Sequence, residues 1–590
     1  MNRVRVEFDR AQYRPGDDVN LLVWPGGVSL SGEREGASSG DATLSITITV
    51  SHLADPFYEA SVDLRPADLA GDAPVQITIP ASALARHLEW HDRALKAKGF
   101  GLDVEVRAGG VTIARASRGF DVAEHWRYAP RYGFVSEFGP SQDEAALLEK
   151  WRVMKDFHLN AVQFYDWMYR HYEFIPPESV FTDPLGRLLD LRSVRRQVEL
   201  AHGFGIRPIA YGAVYAAEKE FADLRPEWLA YTRDGSVHSL ADLFFIADIS
   251  KGSPWVDHII REFRRAMDEI GFSGIHADQY GFPRTYYRGT GDRVRTAHEF
   301  AEFIGECRAR LGPSADLIFN CVNNWPVREV AQAPQDAVYI EVWSPHDTYR
   351  DLHDLIAAAR CASAFSKQVI LAAYLAPFRP GSGAALEQAE QVEQAEAGMR
   401  LAAAAIMASG GFHLVLGEGA SVLTEGYYPN FGKLRPEFTE VIKRYWDFAV
   451  RYEEFLFDLD GTDVSDVESG GPDSSVVIEG YPYGPGAVPG TLWTIIREGR
   501  EYKVLHLVNL LGANDAYWNA PKTQPKTATD VRVRWLIDEE IRGLFFVTPD
   551  VEKLAPERLH YTEIPGPRGR AVEFVLPQVD YWSTVLVELG

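Results

Sequence analysis

Apolar and polar residues alternate through the first 124 residues in short runs divided by turn signals. The runs 4–8, 19–23, 44–50, 75–79, 102–106 and 111–114 each put apolar side chains on one face, and Arg14-Pro15-Gly16-Asp17 marks a turn. This pattern predicts an N-terminal immunoglobulin-like β-sandwich over 1–124, with the Gly-, Ser- and charge-rich stretch 29–41 as a loop. Near residue 125 the period changes. Strand-like runs at 133–138, 160–165, 207–211, 274–278, 316–321, 338–343, 368–374 and 411–416 alternate with helical stripes. Ala145, Leu148, Trp151, Met154 and Phe157 form one such stripe, and Phe300, Phe303, Ile304, Cys307 and Leu311 another. Eight strand–helix alternations predict a central (β/α)8 TIM barrel over 125–450. After a helix predicted for 436–452, short strands return at 476–479, 492–497, 503–509, 531–535, 543–547, 571–576 and 584–589, predicting a C-terminal β-sandwich over 451–590.

Two of the barrel strands carry unusual polar residues. The helix before the fourth has Ser253 as N-cap, Pro254 at its first position, and Val256, Ile259, Ile260, Phe263, Met267 and Ile270 at helical spacing up to Gly271. In the strand that follows, Ile275 and Ala277 point one way while His276 and Asp278 point the other. Asp278 thus sits at the C-terminal lip, where barrel enzymes hold their chemistry, although a strand-end Asp also fits a cap on the next helix. In the sixth strand Val338, Ile340 and Val342 share a face, and Tyr339, Glu341 and Trp343 share the other. A carboxylate among aromatics in an apolar strand is costly unless it is used or paired. The alternative is a structural Glu bonded to an Arg or a backbone amide. Two inward carboxylates on neighbouring parts of one lip are what glycoside hydrolysis needs.

Composition narrows the partner. A formal net charge of -24 over 590 residues opposes binding to nucleic acid or an anionic membrane and is indifferent to a neutral polysaccharide. No apolar run approaches the ~20 residues of a membrane span. Cys307, Cys321 and Cys361 have no metal-ligand spacing, so no metal site and no cofactor are predicted, and a structural Ca²⁺ would need oxygen ligands that spacing does not assemble. The oligomeric state is not legible. The first 24 residues lack the basic region and apolar core of a signal peptide. If Met1 is the native start, a cytoplasmic protein is expected; a secreted protein trimmed of its leader is the competing reading.

A pyranose offers an apolar face and a rim of hydroxyls, so aromatic platforms and polar side chains at strand ends are the candidate sugar contacts. These are Tyr165, Asp166, Trp167, Tyr211, His276, Gln279, Asn320, Trp343, Tyr374 and Glu418, each of which also has a structural reading. The long run Asn160-Ala161-Val162-Gln163-Phe164-Tyr165-Asp166-Trp167-Met168-Tyr169-Arg170-His171, with residues 272–281 and 339–343, resembles glycoside hydrolase family 66, the family of dextranases and cycloisomaltooligosaccharide glucanotransferases. The resemblance continues through Leu416-Gly417-Glu418, Tyr427-Tyr428-Pro429 and residues 506–510, over most of 125–590. It implies that Asp278 is the nucleophile and Glu341 the general acid/base of a retaining enzyme acting on α-1,6-glucan, dextran or isomaltooligosaccharides. Tyr339 and Trp343 would then help keep Glu341 protonated. Cyclising members of the family carry a carbohydrate-binding module inserted in the barrel region. Here only a short loop at 377–383 precedes a helix predicted for 385–407, which makes hydrolysis the leading expectation, preferably of short substrates, and cyclisation the alternative. A retaining glycosidase of another linkage and an inactive sugar-binding module are further alternatives.

Overall fold

Two sheets face each other at the N-terminus of this multidomain, mostly β chain. The computed structural model describes residues 2–25, 43–65, 68–69, 73–88, 90, 93–379, 389–426, 431–471, 473–566 and 568–590. The predicted loop 29–41, residues 380–388 and Tyr427-Tyr428-Pro429 lie outside them. One N-terminal sheet orders Asn2–Arg3, Val111–Ala123, Ala97–Ala108, Leu44–His52 and Asp55–Leu64; the other pairs Arg5–Phe8, Val19–Trp24 and Val75–Ile79. Val19, Leu21 and Val23 alternate into the shared core with Ile46, Ile48 and Val104 of the opposite sheet.

Eight parallel strands follow: β1 Tyr132–Val135, β2 Ala161–Phe164, β3 Arg207–Ala213, β4 Gly274–Asp278, β5 Asp316–Val322, β6 Ala337–Glu341, β7 Val369–Ala372 and β8 Phe412–Leu414. Each pairs with the next in chain order. The continuation of β8, Leu416–Gly417, pairs in parallel with β1 through Gly417 and Phe134, so the order returns to its first strand. The sequence places all eight, with shifted ends. Glu341 is the last residue of β6, not a mid-strand one, and Tyr374 lies two residues past β7.

The helices between them include α1 Glu144–Asp156, α2 Leu191–Gly203, α3 Pro254–Arg265, α4 Thr296–Leu311, α5 Val327–Val330, α6 Tyr349–Ala362 and α7 Ala389–Ala408, with a short one at Lys219–Leu224; α8 Pro436–Arg451 follows β8. In α3 the Ser253 hydroxyl caps Trp255 N–H at 3.3 Å, as predicted, and the helix runs on through a π-helical turn at Ala266–Ile270. Gly271 then stops it at φ 97°, a left-handed conformation that glycine adopts without steric cost. The predicted stripe on α1 needs a correction. Ala145 and Leu148 are exposed, and Leu147, Trp151 and Met154 carry the buried face, because that i, i+4, i+7 set is the one turned toward the sheet. No described helix is long and apolar enough to cross a membrane.

α8 is the joint between the N-terminal sheets and the rest. A side chain at Gly119 would meet Asp447 O at 2.2 Å, so the strand passes the helix only as glycine there. Asp447 itself is buried. Its carboxylate accepts from Arg118 Nε at 2.6 Å, Gly119 N at 3.1 Å and His158 Nε2 at 2.9 Å. Burial alone would raise its pKa, but Arg118 and His158 outweigh that and hold it below the usual carboxylate range. Asp447→Ala is therefore expected to cost about 3–5 kcal/mol, since it takes the directly bonded carboxylate from buried Arg118. A fall in the urea midpoint with unchanged activity per folded molecule is the measurement.

The C-terminal region again forms two sheets. Thr462–Asp463, Leu492–Glu498, Tyr502–Asn509, Trp582–Leu589, Ile541–Val547 and Glu557–Arg558 make one, with Tyr483–Gly484 added beside Leu492–Glu498; Val476–Glu479, Ala528–Leu536, Gly569–Val579 and Tyr561–Gly566 make the other. Their facing sides share a core of Leu505, Leu507, Val533, Phe574 and Val585 among others. The 506–510 stretch lies here, with His506 buried and its Nδ1 2.9 Å from Thr584 Oγ1, a structural placement.

Candidate active site

The C-terminal ends of the eight strands open onto a cleft of about 230 Å³ that contains both Asp278 and Glu341. Asn320, on β5 between them, donates through the same Nδ2 to Asp278 Oδ1 at 2.7 Å and to Glu341 Oε2 at 3.2 Å. Two bonds from one nitrogen hold the facing oxygens within about 6 Å of each other. Asp278 also accepts from Tyr211 Oη at 2.9 Å and from the Gln279 backbone N–H. Glu341 accepts from Tyr374 Oη at 3.2 Å and from the Trp343 side chain.

Both acids resist ionisation. Burial, then the nearby Glu341 charge, push Asp278 up to about 7 against the pull of Asn320 and Tyr211. Burial likewise raises Glu341, opposed by Asn320, Trp343 and Tyr374. Two carboxyl groups this close cannot both ionise freely, so each favours the protonated form of the other. Trp343 therefore acts against its expected role. Its side-chain hydrogen bond favours the ionised form of Glu341, and burial is what favours the acid.

Of the ten predicted sugar contacts, Tyr165, Asp166, Tyr211, His276, Gln279, Asn320 and Tyr374 line the cleft. His276 lies at its floor, stacked on Tyr132 and bonded to Tyr132 Oη through Nδ1 at 3.1 Å, with burial pushing it down to about 3, so it is neutral. Gln279 is spent on the protein. Its amide donates to Asn320 O at 3.1 Å and Trp325 O at 3.2 Å and accepts from Gly281 N at 2.6 Å, which fixes the strand that carries Asn320. Trp343 stands outside the lining, 6.0 Å from Tyr374 between ring centroids.

Trp167 and Glu418 are elsewhere. Trp167 is fully buried, its Nε1 bonded to Tyr211 O at 3.2 Å and its ring against Phe272 and Phe174, because the chain turns inward after Asp166 at φ 45°. Glu418 turns away from the cleft to accept from Ser136 N at 2.6 Å and Glu137 N at 3.0 Å and to pair with Lys150 at 2.6 Å, pinning α1 to the end of β1. His171 and Gly426, to which the sequence assigned no role, also line the cleft, as does Tyr280, an aromatic suited to a substrate groove. His171 closes the quoted run 160–171 and Tyr280 lies in 272–281, so both were in view; Gly426 carried no signal.

Gly426 sets the room around Glu341. A Cβ there would stand 2.5 Å from Glu341 Oε1 and 2.8 Å from Tyr374. Gly426→Ala is expected to displace the carboxyl and lower kcat on the order of 10²-fold, with KM changed far less. Steady-state kinetics reads the split. Among the described residues no group of three or more His, Cys, Asp or Glu is placed to hold a metal.

The sequence profile of Glycosyl hydrolase family 66 matches residues 8–586. A cycloisomaltooligosaccharide glucanotransferase of Niallia circulans is 25% identical over 735 residues, covering 99% of this chain and 71% of that protein. A dextranase of Streptococcus salivarius is 23% identical over 543 residues, covering 81% of this chain and 63% of that one. The solved structure of a Paenibacillus sp. cycloisomaltooligosaccharide glucanotransferase complexed with cycloisomaltoheptaose superposes with a TM-score of 0.84 at 22% identity, covering 99% of each chain.

Proposed function

The chain belongs to Glycosyl hydrolase family 66, and from that premise we propose that it is a retaining glycoside hydrolase that cleaves α-1,6-glucosidic bonds of dextran or isomaltooligosaccharides. The observation that carries this is the single Asn320 nitrogen bridging Asp278 and Glu341. Retaining enzymes hold their carboxyl groups ~5–5.5 Å apart and inverting ones ~6.5–9.5 Å apart, and the bridge supports the shorter spacing. Asp278 attacks the anomeric carbon as Glu341 protonates the departing oxygen. Water then enters with Glu341 as base, and the bond to Asp278 breaks. Tyr211 and Asn320 steady the Asp278 carboxylate before attack.

We read the eight-strand order as a (β/α)8 barrel, with domains at 1–124, 125–450 and 451–590. The strand pairings and the three apolar cores support that division. No cofactor is proposed. The second reading is transglycosylation with cyclisation, favoured by the printed activity of the Niallia circulans relative. Against it, that alignment runs over 735 residues to take in 99% of a 590-residue chain, so the relative carries residues inside the matched span that this chain lacks.

Product analysis on dextran and on isomaltooligosaccharides of defined length tests the proposal. Shorter linear products with α configuration at first release support it; cyclic products return the second reading, and intact substrate overturns both. The pH profile gives a further check. Activity falls on the acid side as Asp278 takes a proton and on the alkaline side as Glu341 loses one. Asn320→Ala removes a donor that lowers both groups, so both limbs of kcat/KM are expected to move to higher pH. A profile that does not move would sink the role given to Asn320.

A further inference from the structure

The stretch 506–510 lies in the C-terminal domain, and one of its residues governs a loop. Asn509 is fully buried. Its Nδ2 donates to Lys526 O and Val579 O at 2.9 Å and to Asp580 O at 2.8 Å, and its Oδ1 accepts from Leu511 N at 2.9 Å. Lys526 N also donates to Leu511 O at 2.8 Å. Both ends of the loop 510–527 are thereby drawn together at the edge of the sheet, and what lies between them projects as one piece.

That loop meets the barrel lip at the two segments that follow β6 and β7. Trp518, itself buried, donates through Nε1 to His346 O at 2.8 Å and through its backbone N–H to Asp347 O at 3.1 Å. Tyr349 N donates to Ala516 O at 2.9 Å, and Asn519 Oδ1 accepts from Ala376 N at 2.8 Å. The same two segments carry Trp343 and Tyr374, whose side chains donate to Glu341. Trp343 opens the turn that His346 N closes on Trp343 O at 3.0 Å, and Tyr374 stands two residues before Ala376. The barrel holds both segments from its own side, through Asn323 Nδ2 to Ser344 O at 2.8 Å and Leu375 N to Leu423 O at 2.9 Å. The outer grip on both comes from consecutive residues of one loop. Attachment of the domain does not depend on it, because Arg400 Nη2 meets Asp550 at 2.7 Å and Tyr452 Oη meets Leu554 O at 2.6 Å elsewhere.

We infer that the C-terminal domain takes part in acid/base catalysis, with Trp518 and Asn519 as positioning residues that align the Glu341 carboxyl through Trp343 and Tyr374. This rests on the glycosidase reading above, in which Glu341 gives its proton to the leaving oxygen. Such a transfer needs the acid within about 2.6–3.2 Å of that oxygen, so slack in the backbone behind either donor becomes slack in the acid.

The test compares kcat/KM on isomaltotriose with that on 4-nitrophenyl α-isomaltoside, whose leaving group departs without a proton. Asn519→Ala is expected to lose about 5-fold on isomaltotriose, and its combination with Trp518→Phe about 20-fold, each with less than about 2-fold loss on the aryl substrate. Asn519→Asp keeps an accepting oxygen for Ala376 N and is expected to stay near the parent on both. Equal loss on the two substrates would make the loop a structural tie only, and full activity of both variants on isomaltotriose would detach Glu341 from it. Either result overturns the inference and leaves the glycosidase reading standing; cleavage of neither substrate by the unaltered enzyme would overturn both. Asn519 is exposed, so its single variants carry the test whether or not Trp518→Phe folds.

Discussion

Asp278→Asn is expected to lower kcat by roughly 10⁴-fold or more, while the protein folds normally and gains stability above pH 7. The loss follows from the double displacement. The amide keeps the contacts to Tyr211 and Asn320 within reach of rearrangement but has no anionic oxygen to form a bond to the anomeric carbon. The gain follows from linkage. The folded pKa of Asp278, raised to about 7 by burial and by Glu341, lies above its unfolded value of 3.8. The folded state therefore favours the protonated acid, and the stability this group contributes is complete below the unfolded value and lost as pH rises through about 7. Asparagine never ionises and escapes that loss. Thermal unfolding at pH 5 and pH 8 should show the difference in Tm between variant and parent growing in the variant's favour at the higher pH. A variant that is both active and less stable at pH 8 would remove Asp278 from the mechanism.

Glu341→Ala is expected to lose about 10²- to 10⁴-fold on natural substrates and to recover on an activated α-glucoside when azide is added. A good leaving group departs without a proton, so the glycosyl bond to Asp278 still forms. The second step then stalls for want of a base, and a small anion that needs no deprotonation fills the space the side chain vacates. The product should be the α-glucosyl azide, since inversion at Asp278 and inversion at azide restore the starting configuration. A β-azide would mean a single displacement and would contradict the retaining reading. Glu341 is bordered by Gly426, Tyr374 and Asn320, and the space its side chain leaves lies between them.

Much of the site was legible because strand periodicity is local. Alternation alone put His276 and Asp278 on one face of β4, and Tyr339 and Glu341 on one face of β6, and the structure turns those faces inward. The aromatics at the ends of β2 and β3, Tyr165 and Tyr211, were legible for the same reason, and they meet edge to face at 4.8 Å. What alternation lacks is a measure of depth. Trp167 follows Tyr165 by two residues and shares its chemical character, yet the left-handed turn at Asp166 sends it into the core.

The sequence by itself determined the order of elements, the register of inward carboxylates, and the Ser253 cap and Gly271 stop of α3, since all of these depend on neighbours a few residues away. Only the tertiary structure decided which polar residues meet a ligand. Glu418 goes to Lys150, 268 residues earlier, and to Ser136, 282 residues earlier, because satisfying a buried carboxylate with a cation and two backbone amides outweighs reaching toward the cleft. His171 enters the cleft because Glu218, 47 residues on, draws one ring nitrogen and leaves the other facing Asp166. Asp278 and Glu341 interact because folding brings their strands together, with Asn320 on a strand of its own donating to both. Such choices turn on distances between residues far apart in the chain, and folding is what sets those distances.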